Sequence, residues 1–339
     1  MIRIGLLGAG RIGQIHGRNA AAHRGARLVA VADAVAASAA SLAKATGAAA
    51  RSVDEVIAAK DVDAVLICTS TDTHADLIDR SAKAGKAIFC EKPVDLSAKR
   101  IARTLRQVDA SGVKLMIGFN RRFDANFAAL QKRLAAGAIG DVEIVTILSR
   151  DPSPPPVDYV KRSGGLFRDM MIHDLDMARF LLGEDPVELQ AFGSSLVDPA
   201  IGKVGDVDTA VVQLRTRSGK LCQISNSRRA TYGYDQRVEV HGSKGLLRAG
   251  NVHETTVEQA GGKGFVSDPI QNFFLERYAA AYRHELDAFL SVVKSSRAPS
   301  PSGEDGLKAQ LLADAATVSA QSGKAVRVAL DGGKGGKAS

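Results

Sequence analysis

The sequence predicts two domains in tandem: an N-terminal α/β domain on a parallel sheet, then an α+β domain with a large, open, mainly antiparallel sheet. Residues 1–120 alternate short apolar runs with helical stretches, the pattern of parallel strands buried on both faces. From Asp141 onward, strands follow one another across short turns, the pattern of antiparallel pairing. At 339 residues the chain exceeds one typical domain. The expected division is 1–120 and 121–330, with the Gly- and Lys-rich residues 331–339 as a disordered tail.

Ile2 to Leu7 is a short apolar strand. Gly8-Ala9-Gly10-Arg11-Ile12-Gly13 follows at once, then a helix to about Ala22, then a strand from Leu28 to Ala32 closed by Asp33. A strand, a Gly-x-Gly-x-x-Gly turn, a helix, a strand and an acid twenty positions after the last Gly make the dinucleotide-binding fingerprint of a Rossmann domain. Gly8 permits the tight turn. Gly10 lets the backbone approach a pyrophosphate at the helix N-terminus, where Arg11 and Ile12 begin the helix, and Gly13 lets helix and strand pack closely. Asp33 suits ribose hydroxyls and repels a 2′-phosphate, and no Arg or Lys occurs from Ala34 to Leu42, so NAD is expected over NADP.

The alternation continues with a helix over Val53–Ala59, a strand over Asp63–Cys68, a helix over Thr73–Ala84, a strand over Ala87–Cys90, a helix over Ser97–Ala110 and a strand over Lys114–Gly118. Ligands sit at the carboxyl ends of such strands. That places Thr69, Ser70 and His74 after one strand, and Glu91, Lys92 and Pro93 after the next, beside the cofactor. His74 has two readings: a contact to the nicotinamide end of the cofactor, or a helix-start side chain satisfied by backbone. Pro93 restricts Lys92 to extended backbone, which helps aim an ammonium able to stabilise a developing alkoxide.

In the second domain Val142–Leu148, Val187–Phe192, Thr209–Thr216, Lys220–Asn226, Gln236–His241 and Gly245–Arg248 read as strands, and Glu276–Val293 and Glu304–Ala320 as helices. Asp151 opens a Pro-rich loop after the first of these strands. Gly164-Gly165 precedes a segment that reads as helix and carries Asp169 and His173 four residues apart, one turn along the same face. An imidazole titrates near neutral pH and can take an alcohol proton, and a neighbouring carboxylate can orient it. No metal is expected there: one helix cannot converge Asp169, His173, Asp174 and Asp176 on a single ion. Asp174 reads as structural.

Net charge is +8, but the basic residues are scattered, with no basic helix and no aromatic-basic platform, so no nucleic-acid partner is expected. No apolar run is long enough for a membrane span. Cys68, Cys90 and Cys222 form neither a disulfide framework nor a zinc cluster and fit a reducing cytoplasm.

The Gly-x-Gly-x-x-Gly turn, Glu91-Lys92-Pro93, and Gly164-Gly165 with Asp169 and His173 resemble the Gfo/Idh/MocA oxidoreductases along nearly the whole chain. The segments Gly118–Asp124, Arg168–Asp174 and Tyr232–Val240 are most similar to the inositol 2-dehydrogenase branch. The resemblance implies Lys92, Asp169 and His173 as catalytic residues and NAD as cofactor. It implies an open sheet used for oligomerisation, here as a homotetramer. The substrate it implies is a small polyol, myo-inositol, bound between the domains and oxidised to 2-keto-myo-inositol. Polyol recognition needs several hydrogen-bond partners around a ring. Lys92, Asn120, Arg122, Asp151, Asp169, His173, Tyr232 and Tyr234 are the candidates, with Asp151 and Tyr234 preferred. The alternatives are a dehydrogenase of another polyol or sugar on the same scaffold, and a non-catalytic NAD(H)-sensing regulator, which should lack the Lys and His.

Overall fold

Six strands, β1 (Ile2–Leu7), β2 (Ala26–Ala32), β3 (Ala49–Ala50), β4 (Ala64–Ile67), β5 (Ala87–Glu91) and β6 (Leu115–Gly118), form an all-parallel sheet in the order β3-β2-β1-β4-β5-β6. This comes from a computed structural model that describes residues 1–330; the expected disordered tail, 331–339, lies outside the described residues. The strand order reverses between β1 and β4, which is the switch point where doubly wound sheets bind dinucleotides. Apart from Arg3, Arg27 and Glu91 the strands are apolar, because both faces are covered: Ile4, Leu6, Leu66 and Phe89 are buried in one cluster.

Leu286, Phe289 and Leu290 join that same cluster from the helix Ala279–Val293. By packing, the chain therefore divides into one unit of Met1–Phe123 with Ala281–Gln310, and a second of Asp124–Ala280 with Leu311 onward. The division by chain order, 1–120 and 121–330, leaves 281–310 on the other side. The apolar stripe of this helix, rather than its place in the chain, decides the matter. The following loop is tied to β6 by Ile117 N–H donating to Pro301 O at 3.1 Å.

In the second unit β7 (Val142–Arg150), β8 (Pro186–Ser194), β9 (Thr209–Thr216), β10 (Leu221–Ser227), β11 (Asp235–Gly242), β12 (Gly245–Ala249) and the short β15 (Val326–Arg327) form one sheet in the order β12-β11-β7-β10-β9-β8-β15. All six expected strands are present. The sheet is mixed, because β7 and β10 pair in parallel, Leu221 opposite Ile144. Two further strands, β13 (Glu258–Gly261) and β14 (Gly264–Ser267), make a separate exposed hairpin that sequence patterning did not reveal. The helix Ile172–Leu182 lies against β7 and β10 and covers one face. The other face exposes Ile144, Phe192, Val211, Leu221 and Leu246.

The segment expected as one helix is two: Leu166–Asp169 and Ile172–Leu182. Met171 N–H donates five residues back to Leu166 O at 2.9 Å, and His173 N–H only three back to Met170 O at 3.4 Å. This wide turn lies between Asp169 and His173, so they sit on two successive helices where one was expected.

Asp124 caps the helix Ala125–Ala135 by accepting from Asn126 N–H and Phe127 N–H, and it pairs with Arg277. Both side chains are nearly fully buried, at 6% and 3% exposure, and the guanidinium lies over the Phe127 and Tyr278 rings. Removing one partner strands a buried charge. Arg277→Ala should lower the unfolding free energy by about 3–5 kcal/mol in a urea titration.

Candidate active site

In the first unit the predicted cofactor residues converge on the carboxyl edge of the parallel sheet. Gly8 has a φ of +96°, and a Cβ there would lie 2.5 Å from the Cys68 carbonyl at the end of β4. A Cβ on Gly13 would lie 2.0 Å from Gly8 O. Gly10 is the reverse case: it is exposed, its φ is an ordinary −69°, and nothing stands within 4 Å of where its Cβ would be. Two glycines thus hold the turn closed, and the third leaves open space in front of the helix N-terminus. Arg11 is exposed at that terminus, and Ile12 packs inward against the core.

Asp33, half-buried after β2, accepts from Ala9 N–H at 2.6 Å and Val35 N–H at 2.7 Å, one bond on each oxygen. A carboxylate has about four lone-pair sites, so each oxygen keeps capacity for a ribose hydroxyl. Thr69 and Ser70 follow β4, with Thr69 Oγ1 2.7 Å from Thr73 Oγ1 and Ser70 exposed at the start of the helix Thr71–Lys83. An open helix N-terminus beside an acid after β2 fits a dinucleotide with free ribose hydroxyls.

Two residues expected to touch the cofactor are turned inward. His74 is 1% exposed, with Nδ1 2.8 Å from Pro93 O and Nε2 3.0 Å from Thr69 O. Burial pushes its pKa down, against the pull of those carbonyls. A neutral ring carries one N–H, so it donates to one of the two carbonyls and packs against the other, which is the backbone-satisfied reading. Glu91 is likewise buried, its Oε1 accepting from His16 Nε2 at 2.7 Å. Lys92 follows directly, half-buried, with the Lys92–Pro93 peptide cis. Asn120 is buried in the turn Asn120–Phe123, and Arg122 pairs with Asp305 at 3.1 Å. Burial pushes the thiols of Cys68, Cys90 and Cys222 up, which disfavours the thiolate.

In the second unit Gly164 and Gly165 both have left-handed φ, +87° and +84°. A Cβ on Gly165 would lie 2.5 Å from Asp206 Oδ1, and both Asp206 oxygens accept from Leu166 N–H at 3.1 Å. Burial pushes the Asp206 carboxyl up, against that bond. Asp206 thereby starts the short helix that ends at Asp169. Asp169 is held on both oxygens: Tyr159 O–H donates to Oδ1 at 2.9 Å, and the Arg228 guanidinium, 2% exposed, stands 3.6 Å from Oδ2. Sequence reading missed Tyr159, Asp206 and Arg228, since isolated polar residues on loops and strand ends have no periodic signature. His173 is half-buried one residue into the next helix. Asp174 is fully buried and accepts from Asn226 Nδ2 at 2.8 Å, the structural role expected of it.

The remaining polyol candidates lie in the loops at the ends of β7 and β11. Asp151 is half-buried, its N–H donating to Ser227 O, one residue before Arg228. Tyr234 is 6% exposed, its ring edge-on to Tyr278 with centroids 5.9 Å apart. Tyr232 donates to Asp235 at 2.7 Å.

Residues 2–119 match a family model described as an oxidoreductase family with an NAD-binding Rossmann fold, and residues 131–330 match that family's C-terminal alpha/beta domain. The chain is 55% identical over 328 residues to the inositol 2-dehydrogenase of Rhizobium meliloti (strain 1021), covering 97% of this chain and 99% of the relative. It is 47% identical over 329 residues to the myo-inositol 2-dehydrogenase of Thermotoga maritima, covering 96% and 98%. The scyllo-inositol dehydrogenase of Lactobacillus casei, solved with bound NAD(H) and scyllo-inositol, has a TM-score of 0.90 to this chain at 29% identity, over 96% of this chain and 98% of that one.

The two kinds of glycine separate binding from folding. Gly10→Ala should keep the melting temperature and weaken NADH binding by about tenfold or more, as read by fluorescence titration. Gly13→Ala should instead lose about 1–3 kcal/mol of stability from overpacking against Gly8.

Proposed function

The chain belongs to the Gfo/Idh/MocA oxidoreductase family, and we propose that it oxidises myo-inositol to 2-keto-myo-inositol with NAD⁺. One observation carries this: Lys92, Asp169 and His173 are all present in a chain 55% identical to an inositol 2-dehydrogenase over nearly its full length. A sensor that only bound NAD(H) would have no use for that set. When bound, the cofactor supplies the hydride acceptor; the protein positions the partners and excludes water. His173 takes the hydroxyl proton as general base. Lys92 donates to the reacting oxygen and stabilises its developing charge. Asp169, oriented by Tyr159, ligates a substrate hydroxyl or steers the imidazole. Asp33 favours NAD over NADP by repelling a 2′-phosphate.

A second substrate reading has its own support. The scyllo-inositol dehydrogenase named above shares the fold, and scyllo-inositol differs from myo-inositol at one carbinol centre. The test is NADH formation with myo-, scyllo- and D-chiro-inositol, glucose and glucose 6-phosphate, with NADP⁺ in parallel. The expected result is preference for myo-inositol with NAD⁺; activity on another sugar alone would remove the inositol assignment. In the same assay His173→Ala should lower kcat by about 10²–10⁴-fold, the usual worth of a general base, with NADH affinity unchanged.

We further propose a homotetramer assembled through the open face of the seven-stranded sheet. Phe192 lies opposite Val211, and Leu221 opposite Ile144, so these exposed side chains share one face. Several large apolar side chains exposed on one sheet face suit an association site. Sedimentation should give a tetramer that Val211→Glu with Leu221→Glu dissociates. The free, buried cysteines suit a reducing compartment, the cytoplasm. Among the described residues no helix is long and apolar enough to cross a membrane.

A further inference from the structure

Behind Lys92 lies a cluster that the proposed reaction does not use. His16, Glu91 and Glu285 are all buried, and one ligand atom of each lies within 4.8 Å of the others. They come from the helix Arg11–Ala22, the end of β5 and the helix Ala279–Val293. Glu91 can only accept when ionised, so His16 Nε2 donates across their 2.7 Å contact. Glu285 is 0% exposed, and neither of its oxygens has a hydrogen-bond partner. Such a group is costly in a core unless it has work to do.

We propose that His16 and Glu285 are positioning residues for this reaction: His16 holds the Glu91 side chain at the end of β5, Glu285 beside the pair leaves that bond undisturbed only while it is neutral, and the held Glu91 fixes the backbone from which Lys92 extends. The inference rests on the catalytic role given to Lys92 above. Lys92 is anchored on one side by His16 holding Glu91, and on the other His74 Nδ1 lies 2.8 Å from Pro93 O. The groups facing Glu285 are His16, Glu91 and Cys68, together with Tyr282 of its own helix, whose ring lies edge-on to His16. None is a Lys or Arg.

Burial first, and then the neighbouring Glu91, hold the Glu285 carboxyl well above the usual carboxylate range. As a neutral acid it packs beside the Glu91–His16 pair without disturbing it. Once ionised it sets a second carboxylate against Glu91 with no cation to offset it, and Glu91 is driven off His16. Activity therefore falls on the alkaline side as Glu285 loses its proton. A cation bound by all three groups is the competing reading. The 2.7 Å contact disfavours it, because two ligands of one ion sit farther apart.

The test uses Glu285→Gln, which mimics the neutral acid. Its kcat at neutral pH should stay within about twofold of the parent, and its alkaline limb should move up by about one pH unit or more, a tenfold change in proton concentration. His16→Leu should lower kcat about tenfold with NADH affinity unchanged, and His16→Gln, which keeps an N–H donor, should recover most of it. A further readout needs no turnover. A carboxyl whose pKa is raised in the folded state retains a proton that the unfolded chain releases above its ordinary value of 4.5, so the parent loses stability as pH rises toward the folded pKa. The melting-temperature advantage of Glu285→Gln over the parent should therefore widen from about pH 5 to about pH 9. A constant difference, an unmoved alkaline limb, or stoichiometric metal in the purified protein would each overturn the proposal. The thermal arm decides the cluster even if the substrate proves not to be inositol.

Discussion

Gly13 has no room for a side chain. The carbonyl of Gly8 stands where its Cβ would be, at 2.0 Å, so the first helix must press against the turn that leaves β1. That contact sets the direction of the helix and brings its free N–H groups to the carboxyl edge of the sheet. The ends of β2, β4 and β5 lie along the same edge, so Asp33, Thr69 and Lys92 inherit their usefulness from it. The same closeness turns His16, one helical turn on, into the core and onto Glu91. One steric constraint thus fixes where a dinucleotide is received and which side chains stand nearby.

The second unit solves a different problem with similar means. Asp169 needs a fixed orientation at the end of a helix of only four residues, too short to be rigid alone. Asp206 pins its start, Gly164 and Gly165 supply the left-handed turn into it, and Tyr159 and Arg228 engage the two carboxylate oxygens. The wide turn at Met170 and Met171 then offsets the next helix, so His173 is oriented by a separate element.

The strand-turn-helix fingerprint was legible because each glycine answers a steric demand visible in the local pattern, and β9 was read to the residue because its alternation is strict. The parallel pairing of β7 with β10 was not legible: buried alternation looks the same whichever way the neighbour runs. The break before His173 was hidden because Met, Ile and Leu are good helix residues on either side of it. His74 and Glu91 were placed at the correct strand ends, but spacing does not say which way a side chain turns. A signal for the buried cluster was present. Glu285 interrupts the apolar stripe of Ala281, Tyr282, Leu286 and Phe289, and His16 shares a helix face with Gly13, Gly17 and Ala20. A charged residue inside a core stripe asks for a partner.

In the proposed reaction a carbon-bound hydrogen of the polyol passes directly to NAD⁺ while the chain's own residues handle the hydroxyl proton. Myo-inositol deuterated at the carbon to be oxidised tests this most directly, with the reduced cofactor analysed by mass spectrometry. Deuterium carried into the reduced cofactor, with slower turnover when His173 is removed, is the result expected. Deuterium released to solvent, or turnover indifferent to His173, would contradict the account.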